Sequence, residues 1–251
     1  WRVRISSRTE PVRNCRKAAG STDPAAFHWR RTLLLKNGES PADFIARVTT
    51  VMPPPLLPEL RFHLAAETVA LWGETEEALE AQGLPPPFWA FAWAGGQALG
   101  RYVLDHPAIV ANKRVLDFAA GGGMAGIAAS KAGAVHVSAS ELDAFAIESI
   151  RANARLNACE ITPRLEDVTR VDEPWDVILA GDVFYEKGPA EVIERWLSDH
   201  HERGATVLIG DPGRSFLPVA RLEKLAEYDV PVTRDLEDRE VRHAKVWRFA
   251  N

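Results

Sequence analysis

Val115-Leu116-Asp117-Phe118-Ala119-Ala120-Gly121-Gly122-Gly123 is the stretch on which the fold turns. Arg114 to Phe118 is a short apolar run that reads as a buried strand. The three glycines after it open a helix predicted to reach about Lys131. Downstream the same grammar repeats. Val135–Ala139 reads as a second strand and Asp143–Asn157 as a helix with Ile147, Ile150 and Ala154 on one face. Ile161–Leu165 gives a third strand, Trp175–Ala180 a fourth, Ala190–His201 a helix, Ala205–Ile209 a fifth strand and Leu217–Glu227 a helix. Strands that alternate with helices imply a parallel sheet covered on both faces. The tail breaks the alternation. Tyr228–Thr233 and Lys245–Phe249 are strand-like with only a charged link between them, which predicts a closing antiparallel hairpin. The expected fold is therefore α/β and Rossmann-like, with seven strands of which the last is antiparallel.

Upstream the pattern is helical. Ser40-Pro41-Ala42-Asp43 reads as an N-cap with Pro at the first helical position, ahead of Phe44, Ile45 and Val48 on one face, and Met52-Pro53-Pro54-Pro55 ends the segment. Thr75–Gln82 is predicted helical, Pro85-Pro86-Pro87 stops the next segment, and Gly95–Asp105 is helical with Leu99, Val103 and Leu104 inward. This divides the chain into a basic, disordered extension at 1–38, an N-terminal helical region at 39–112 and a ligand-binding core at 113–251. Residues 1–38 carry a formal charge of +7 and the remainder −12. So acidic a body argues against broad nucleic-acid binding. No stretch approaches the roughly 18 unbroken apolar residues of a membrane span, and a monomer is expected. Cys15 and Cys159 are the only cysteines and the seven histidines have no ligand spacing, so no metal site is expected.

The strand ends select the site residues. Glycines at a strand-to-helix junction let a ligand approach the backbone, which selects Gly121 and Gly123. Glu141 ends the second strand, where a carboxylate can accept both hydroxyls of a ribose. Gly121, Gly123 and Gly126 also satisfy G-x-G-x-x-G, so an NAD(P)-binding oxidoreductase is a competing reading. Asp117 tilts the balance, since a carboxylate there would repel a pyrophosphate but suit a cofactor with a positive amino group, such as S-adenosylmethionine. Asp167, after the third strand, could accept an adenine amino group, with Val168 on the ring. Asp182 and Tyr185, in Gly181-Asp182-Val183-Phe184-Tyr185, are spaced to reach one substrate; the alternative is a helix cap and a core Tyr. In Phe88–Gln97, two glycines after Trp93 suggest a chain passing close to a ligand, with the indole as a wall. Gly210-Asp211-Pro212-Gly213-Arg214 is either a tight turn or part of a substrate rim. Neither a G-x-S-x-G elbow nor a P-loop is present.

From about Ser40 to Phe249 the chain resembles the seven-strand, S-adenosylmethionine-dependent protein lysine methyltransferases, and within them the electron transfer flavoprotein beta-subunit lysine methyltransferase family. Phe88–Leu99, Val115-Leu116-Asp117 with its glycines, Gly181–Tyr185 and Leu208–Arg214 carry the likeness. The resemblance implies a class I methyltransferase core. It implies that Trp93, Asp117, Gly121, Gly123, Glu141, Asp167, Val168 and Ala180 line the cofactor, and that Asp182 and Tyr185 face the target lysine. Two residues depart from the pattern: Gly122 stands mid-turn, and Glu141 stands where Asp is more usual. The implied acceptor is the electron transfer flavoprotein beta subunit, or a ribosomal protein as in bacterial relatives. The implied compartment is the cytoplasm for a bacterial chain and the mitochondrial matrix for a eukaryotic one. A binding module without catalysis would keep the fold but have no need of an acid beside the cofactor.

Overall fold

The computed structural model describes residues 39–65, 87–231 and 241–250. The basic segment 1–38 and the expected helix Thr75–Gln82 lie outside them. Helix α1 (Pro41–Val48) starts in a full capping box: the Asp43 amide donates to Ser40 Oγ at 3.1 Å and the Ser40 amide to Asp43 Oδ2 at 3.3 Å. It buries Phe44 and Ile45 against Trp89, Phe91 and Ala146. Next come β1 (Thr50–Met52) and β2 (Phe62–Leu64), an antiparallel pair. The N-terminal region is therefore not purely helical, because the prolines after Met52 turn the chain back and pair it with itself.

Helix α2 (Ala94–Asp105) leads into β3 (Arg114–Phe118), α3 (Met124–Lys131), β4 (His136–Glu141), α4 (Ala144–Leu156), β5 (Thr162–Leu165), β6 (Val177–Gly181), α5 (Lys187–Glu202), β7 (Thr206–Asp211), β8 (Leu222–Pro231) and β9 (Val241–Phe249). The sheet order is β5-β4-β3-β6-β7-β9-β8, and β9 runs antiparallel to both its neighbours. Pro163 is tolerated in β5 because that strand is an edge. The helix expected at Leu217–Glu227 does not form. Its Leu, Glu, Lys and Ala residues favour helix, but Leu222 pairs with Phe249 and the register continues to Pro231 opposite Val241, with a bulge between Lys224 and Ala226. A β-rich partner strand overrides local propensity, and Arg248 fixes the pair by donating to Glu223 at 2.8 Å.

Period-two alternation gives the sheet two faces. Val115, Val137, Val177, Leu179 and Leu208 meet Ala98, Leu99 and Val103 of α2 and Ala125 and Ala129 of α3. Leu116, Phe118, Ile178, Ala180, Val207 and Ile209 face Trp196 and Leu197 of α5. One core thus runs across the expected boundary at residue 112, and α2 belongs to the sheet it covers.

Helix α2 reaches that position through glycine. A Cβ on Gly210 would lie 2.2 Å from the Gly95 carbonyl oxygen, and a Cβ on Gly95 2.2 Å from that of Gly210. Backbone rests on backbone at the carboxyl end of β7. From the other side Asn153 of α4 ties the remaining elements together: it accepts from the His63 amide at 2.8 Å and donates to the Gly122 carbonyl at 2.9 Å.

Gly210→Ala is expected to cost about 3 kcal/mol, the upper end for overpacking, because the closest clash, at 2.2 Å, is with the main-chain oxygen of Gly95 and the buried Leu99 Cγ lies 2.6 Å away. In a chain of this size that lowers Tm by about 6–12 °C. Gly188→Ala, in α5 with nothing within 4 Å of the new Cβ, should be neutral or slightly stabilising. Thermal denaturation of both variants checks the contrast.

Candidate active site

The strand order reverses between β3 and β6, and a ligand crevice is expected outside the carboxyl ends at such a point. A cleft opens there. Its wall includes Trp89, Phe91, Trp93, Gly96, Asp117, Gly121, Gly181 and Asp182.

The glycine turn forms the floor. Gly121 (φ +54°) and Gly123 (φ +81°) occupy the left-handed region, where a side chain would be strained. Gly122 is tightly enclosed: a Cβ would lie 3.0 Å from the Trp89 carbonyl oxygen and 3.1 Å from Asn153 Nδ2, so a larger residue needs its neighbours to give by a few tenths of an ångström. Asp117 is the penultimate residue of β3, its side chain almost fully buried, and accepts from the Gly126 amide in the first turn of α3 at 2.7 Å. Burial pushes its pKa up to about 8, against the pull of that amide, and the nearby Glu141 adds to the rise. Glu141 is bonded to the floor from behind: the Gly121 amide donates to Oε1 at 2.6 Å and the Leu142 amide to Oε2 at 3.1 Å. Burial raises its pKa too. Asp143, the N-cap of α4, is pushed by burial to about 7. Buried carboxylates with raised pKa values are acceptors that a cation would satisfy. Among the described residues, no Lys or Arg is part of the cleft wall itself. This chemistry fits a ligand bearing an ammonium and ribose hydroxyls, and it would repel a pyrophosphate.

Asp182 follows β6 at the far side of the cleft. It holds φ +58°, a conformation few non-glycine residues adopt, though Asp is among the more tolerant. Its amide donates to the Gly210 carbonyl at 2.9 Å. Its carboxylate accepts from the Gly96 amide through Oδ2 at 3.0 Å and from Arg214 through Oδ1 at 3.1 Å. Burial raises its pKa to about 6; Arg214 pulls it down, while Asp211 pushes it up. Asp182 is not a helix cap, because α5 begins at Lys187 with Glu186 at its N-cap. Nor is Tyr185 a core residue. It is 56% exposed and packs on Phe88 with ring centroids 6.0 Å apart, while Phe88 packs edge-on to Trp93 at 5.8 Å. The three rings make a rim. Burial, then Glu186 and Glu141, raise the Tyr185 pKa, so it stays a neutral hydroxyl.

Trp93, Asp117, Gly121 and Asp182 thus come together around one cleft, with Gly123, Glu141 and Tyr185 next to its wall. Three expected cofactor residues lie away from the wall of this cleft. Ala180 is fully buried and points at α5, because alternation gives that face to Ala180 and leaves Gly181 to the cleft. Val168 is 2% exposed, packed in the α5-side core with Trp175 and Phe118. Asp167 caps the short turn Val168–Arg170, taking the Thr169 amide and pairing with Arg170 at 3.0 Å. Sequence reasoning missed Arg214 as a partner of Asp182. The signal lay in Gly210–Arg214, where Asp211 Oδ1 accepts from the amides of Gly213 and Arg214, both at 2.6 Å, and folds the turn back.

Comparison with known proteins adds to this geometry. The family model for ribosomal protein L11 methyltransferase (PrmA) matches residues 98–183. A Xenopus laevis protein named electron transfer flavoprotein beta subunit lysine methyltransferase is 38% identical over 83% of this chain and 87% of its own length. Proteins of the same name from Danio rerio and Homo sapiens are 35% and 33% identical, each over 77% of this chain, and over 77% and 76% of their own lengths.

Asp117 sets a stability test that needs no ligand. Between the ordinary carboxylate pKa of about 4 and its folded value of about 8, the native state holds a proton that the unfolded chain has released. Its contribution therefore makes stability fall as pH rises through that window and level off above it. Asp117→Asn should raise Tm at pH 8 and flatten this slope. An unchanged Tm–pH curve would contradict the assignment.

Proposed function

The chain belongs to the electron transfer flavoprotein beta subunit lysine methyltransferase family, and from that premise we propose that it uses S-adenosylmethionine to methylate lysines of the electron transfer flavoprotein beta subunit. The observation that carries the chemistry is the buried Asp182 carboxylate, set across an aromatic-lined cleft from the acidic floor of the glycine turn. Two acidic regions suit two cationic groups: Asp117 the cofactor's ammonium, and Asp182 the lysine. Trp93 would wall the cofactor, Gly121 and Gly123 would admit it to the backbone, and Glu141 would take the ribose hydroxyls.

When bound, the cofactor would supply an electrophilic methyl on a sulfonium for in-line transfer to the lysine nitrogen, with S-adenosylhomocysteine as the leaving group. The chain's residues must deliver a neutral amine. A free lysine has a pKa of about 10.4, so near pH 7.5 about one in a thousand is neutral, a penalty of roughly 4 kcal/mol. Asp182 docks the amine and orients it by accepting an N–H, and water outside the rim takes the proton released. Tyr185, a neutral hydroxyl, accepts a second N–H or packs on the lysine stem without adding negative charge. The aromatic rim strips water from the amine, which lowers its pKa. Positioning does much of the rest, since well-oriented pairs reach effective molarities of about 10⁵ M or more.

A second reading keeps the chemistry and changes the acceptor to a ribosomal protein. The match of residues 98–183 to the ribosomal protein L11 methyltransferase model favours it. Incubation with S-adenosylmethionine and recombinant beta subunit, then mass spectrometry of its peptides, separates the two. Methylated lysine in the subunit supports the first reading. An unmodified subunit beside a methylated ribosomal protein moves the assignment to the second.

Asp182→Asn is expected to lower methyl transfer by orders of magnitude while S-adenosylhomocysteine affinity stays within a few-fold. Glu141→Ala should do the opposite, weakening that affinity by about 1.5–3 kcal/mol, the scale of hydrogen bonds to a charged group. Calorimetry and turnover assays on both variants check the division. Near-normal turnover by the Asp182 variant would remove it from the reaction.

A further inference from the structure

Asp182 poses a difficulty for its own role. A lone buried carboxylate tends to take up a proton, and when charged it favours the ammonium form of any lysine beside it. Either effect slows transfer. Among the described residues, the groups that face it are Arg214 and Asp211, which follow and end β7, Asp117 across the cleft on β3, and the Gly96 amide at the start of α2. Arg214 is the one cation among them. Its Nη2 lies 3.1 Å from Asp182 Oδ1, and the side chains are only 23% and 10% exposed. The guanidinium carbon also lies 5.6 Å from the Trp93 ring centroid, within cation–π range. The turn that carries Arg214 is locked by Asp211, which accepts from the Arg214 amide at 2.6 Å. The Asp182 oxygens are thus held from two sides, by the helix amide and by the arginine.

We propose that Arg214 is a positioning residue for methyl transfer, holding the Asp182 carboxylate charged and aimed into the cleft while offsetting its negative field at the incoming amine. This rests on the reading that Asp182 receives the lysine. Arg214 acts through Asp182 and needs no contact with the reacting atoms. Its two effects have the same sign: Asp182 remains an acceptor, and the lysine remains easier to deprotonate than beside a bare carboxylate. The Trp93 ring and the Asp211 turn fix where the guanidinium sits, against two residues of the cleft wall, Trp93 and Asp182.

The test is kcat/KM against pH, between about pH 5 and 9, for methylation of the recombinant beta subunit. The reactive complex needs Asp182 ionised and the lysine neutral. The logarithmic slope should therefore break from two to one near pH 6, where Asp182 titrates. Arg214→Met should move the break upward by about one to three units, the span that one opposite charge at 4–6 Å commands. Arg214→Lys should keep it near the wild-type position, and S-adenosylhomocysteine affinity should stay within a few-fold in both. A loss of rate with an unmoved break would show a merely structural arginine and overturn the proposal. Asp182→Asn, run alongside, keeps the two ideas apart: near-normal turnover there removes the Asp182 reading and this proposal with it. An active wild type, an inactive Asp182→Asn and an unmoved break in Arg214→Met remove this proposal alone. A cycle of melting temperatures at pH 8 needs no acceptor protein. Arg214→Met should lower Tm when Asp182 is present and much less in the Asp182→Asn background; equal losses in both backgrounds would overturn the coupling.

Discussion

The close approach of Gly95 to Gly210 is the contact on which the cleft depends. A Cβ on either glycine would lie 2.2 Å from the carbonyl oxygen of the other, so the first turn of α2 sits directly on the end of β7. That seating delivers the Gly96 amide to Asp182 at 3.0 Å and leaves Trp93, the N-cap of α2, at the wall of the cleft. Gly181 completes the fit, since a Cβ there would come within 3.1 Å of the Gly96 Cα. An aromatic segment from the N-terminal region is in this way built into the end of the sheet.

The second organising feature is charge. Asp117 lies one residue before the end of β3 and Asp182 just past the end of the adjacent β6, and both are buried with raised pKa values. Burying acids in this way costs stability, and it is the kind of cost that collects at functional sites. Each has been given a different partner. Asp117 has one helix amide, with Glu141 and its negative charge nearby. Asp182 has a helix amide and an arginine. The first setting suits a ligand that brings its own cation, whereas the second suits an acceptor that must stay charged without overprotonating its guest.

Much of this was legible in the sequence, for local reasons. The strand–glycine–helix turn, the alternation of strands and helices, and acids at the strand ends are all short-range patterns. They led to the seven-stranded sheet with an antiparallel last strand, and to Trp93, Asp117, Gly121 and Asp182 at the cleft. The features that stayed hidden depend on partners distant in the chain. Leu222–Pro231 looks helical until Val241–Phe249 is available to pair with it. The β1–β2 pair hides among prolines. Ala180 and Val168 lie near the right strand ends but on the α5 side of the sheet. Nothing in the order of residues announces that Gly95 meets Gly210, or that Arg214 turns back onto Asp182.

A crystal structure of the complex with S-adenosylhomocysteine tests the division of labour between the two acids most directly. The expected result has the amino group of the homocysteine moiety on Asp117, the ribose hydroxyls on Glu141, and the sulfur turned toward a cleft whose far side is still Asp182 bonded to the Gly96 amide. An amino group bound to Asp182, or adenosine lying across it, would contradict the assignment of that acid to the lysine.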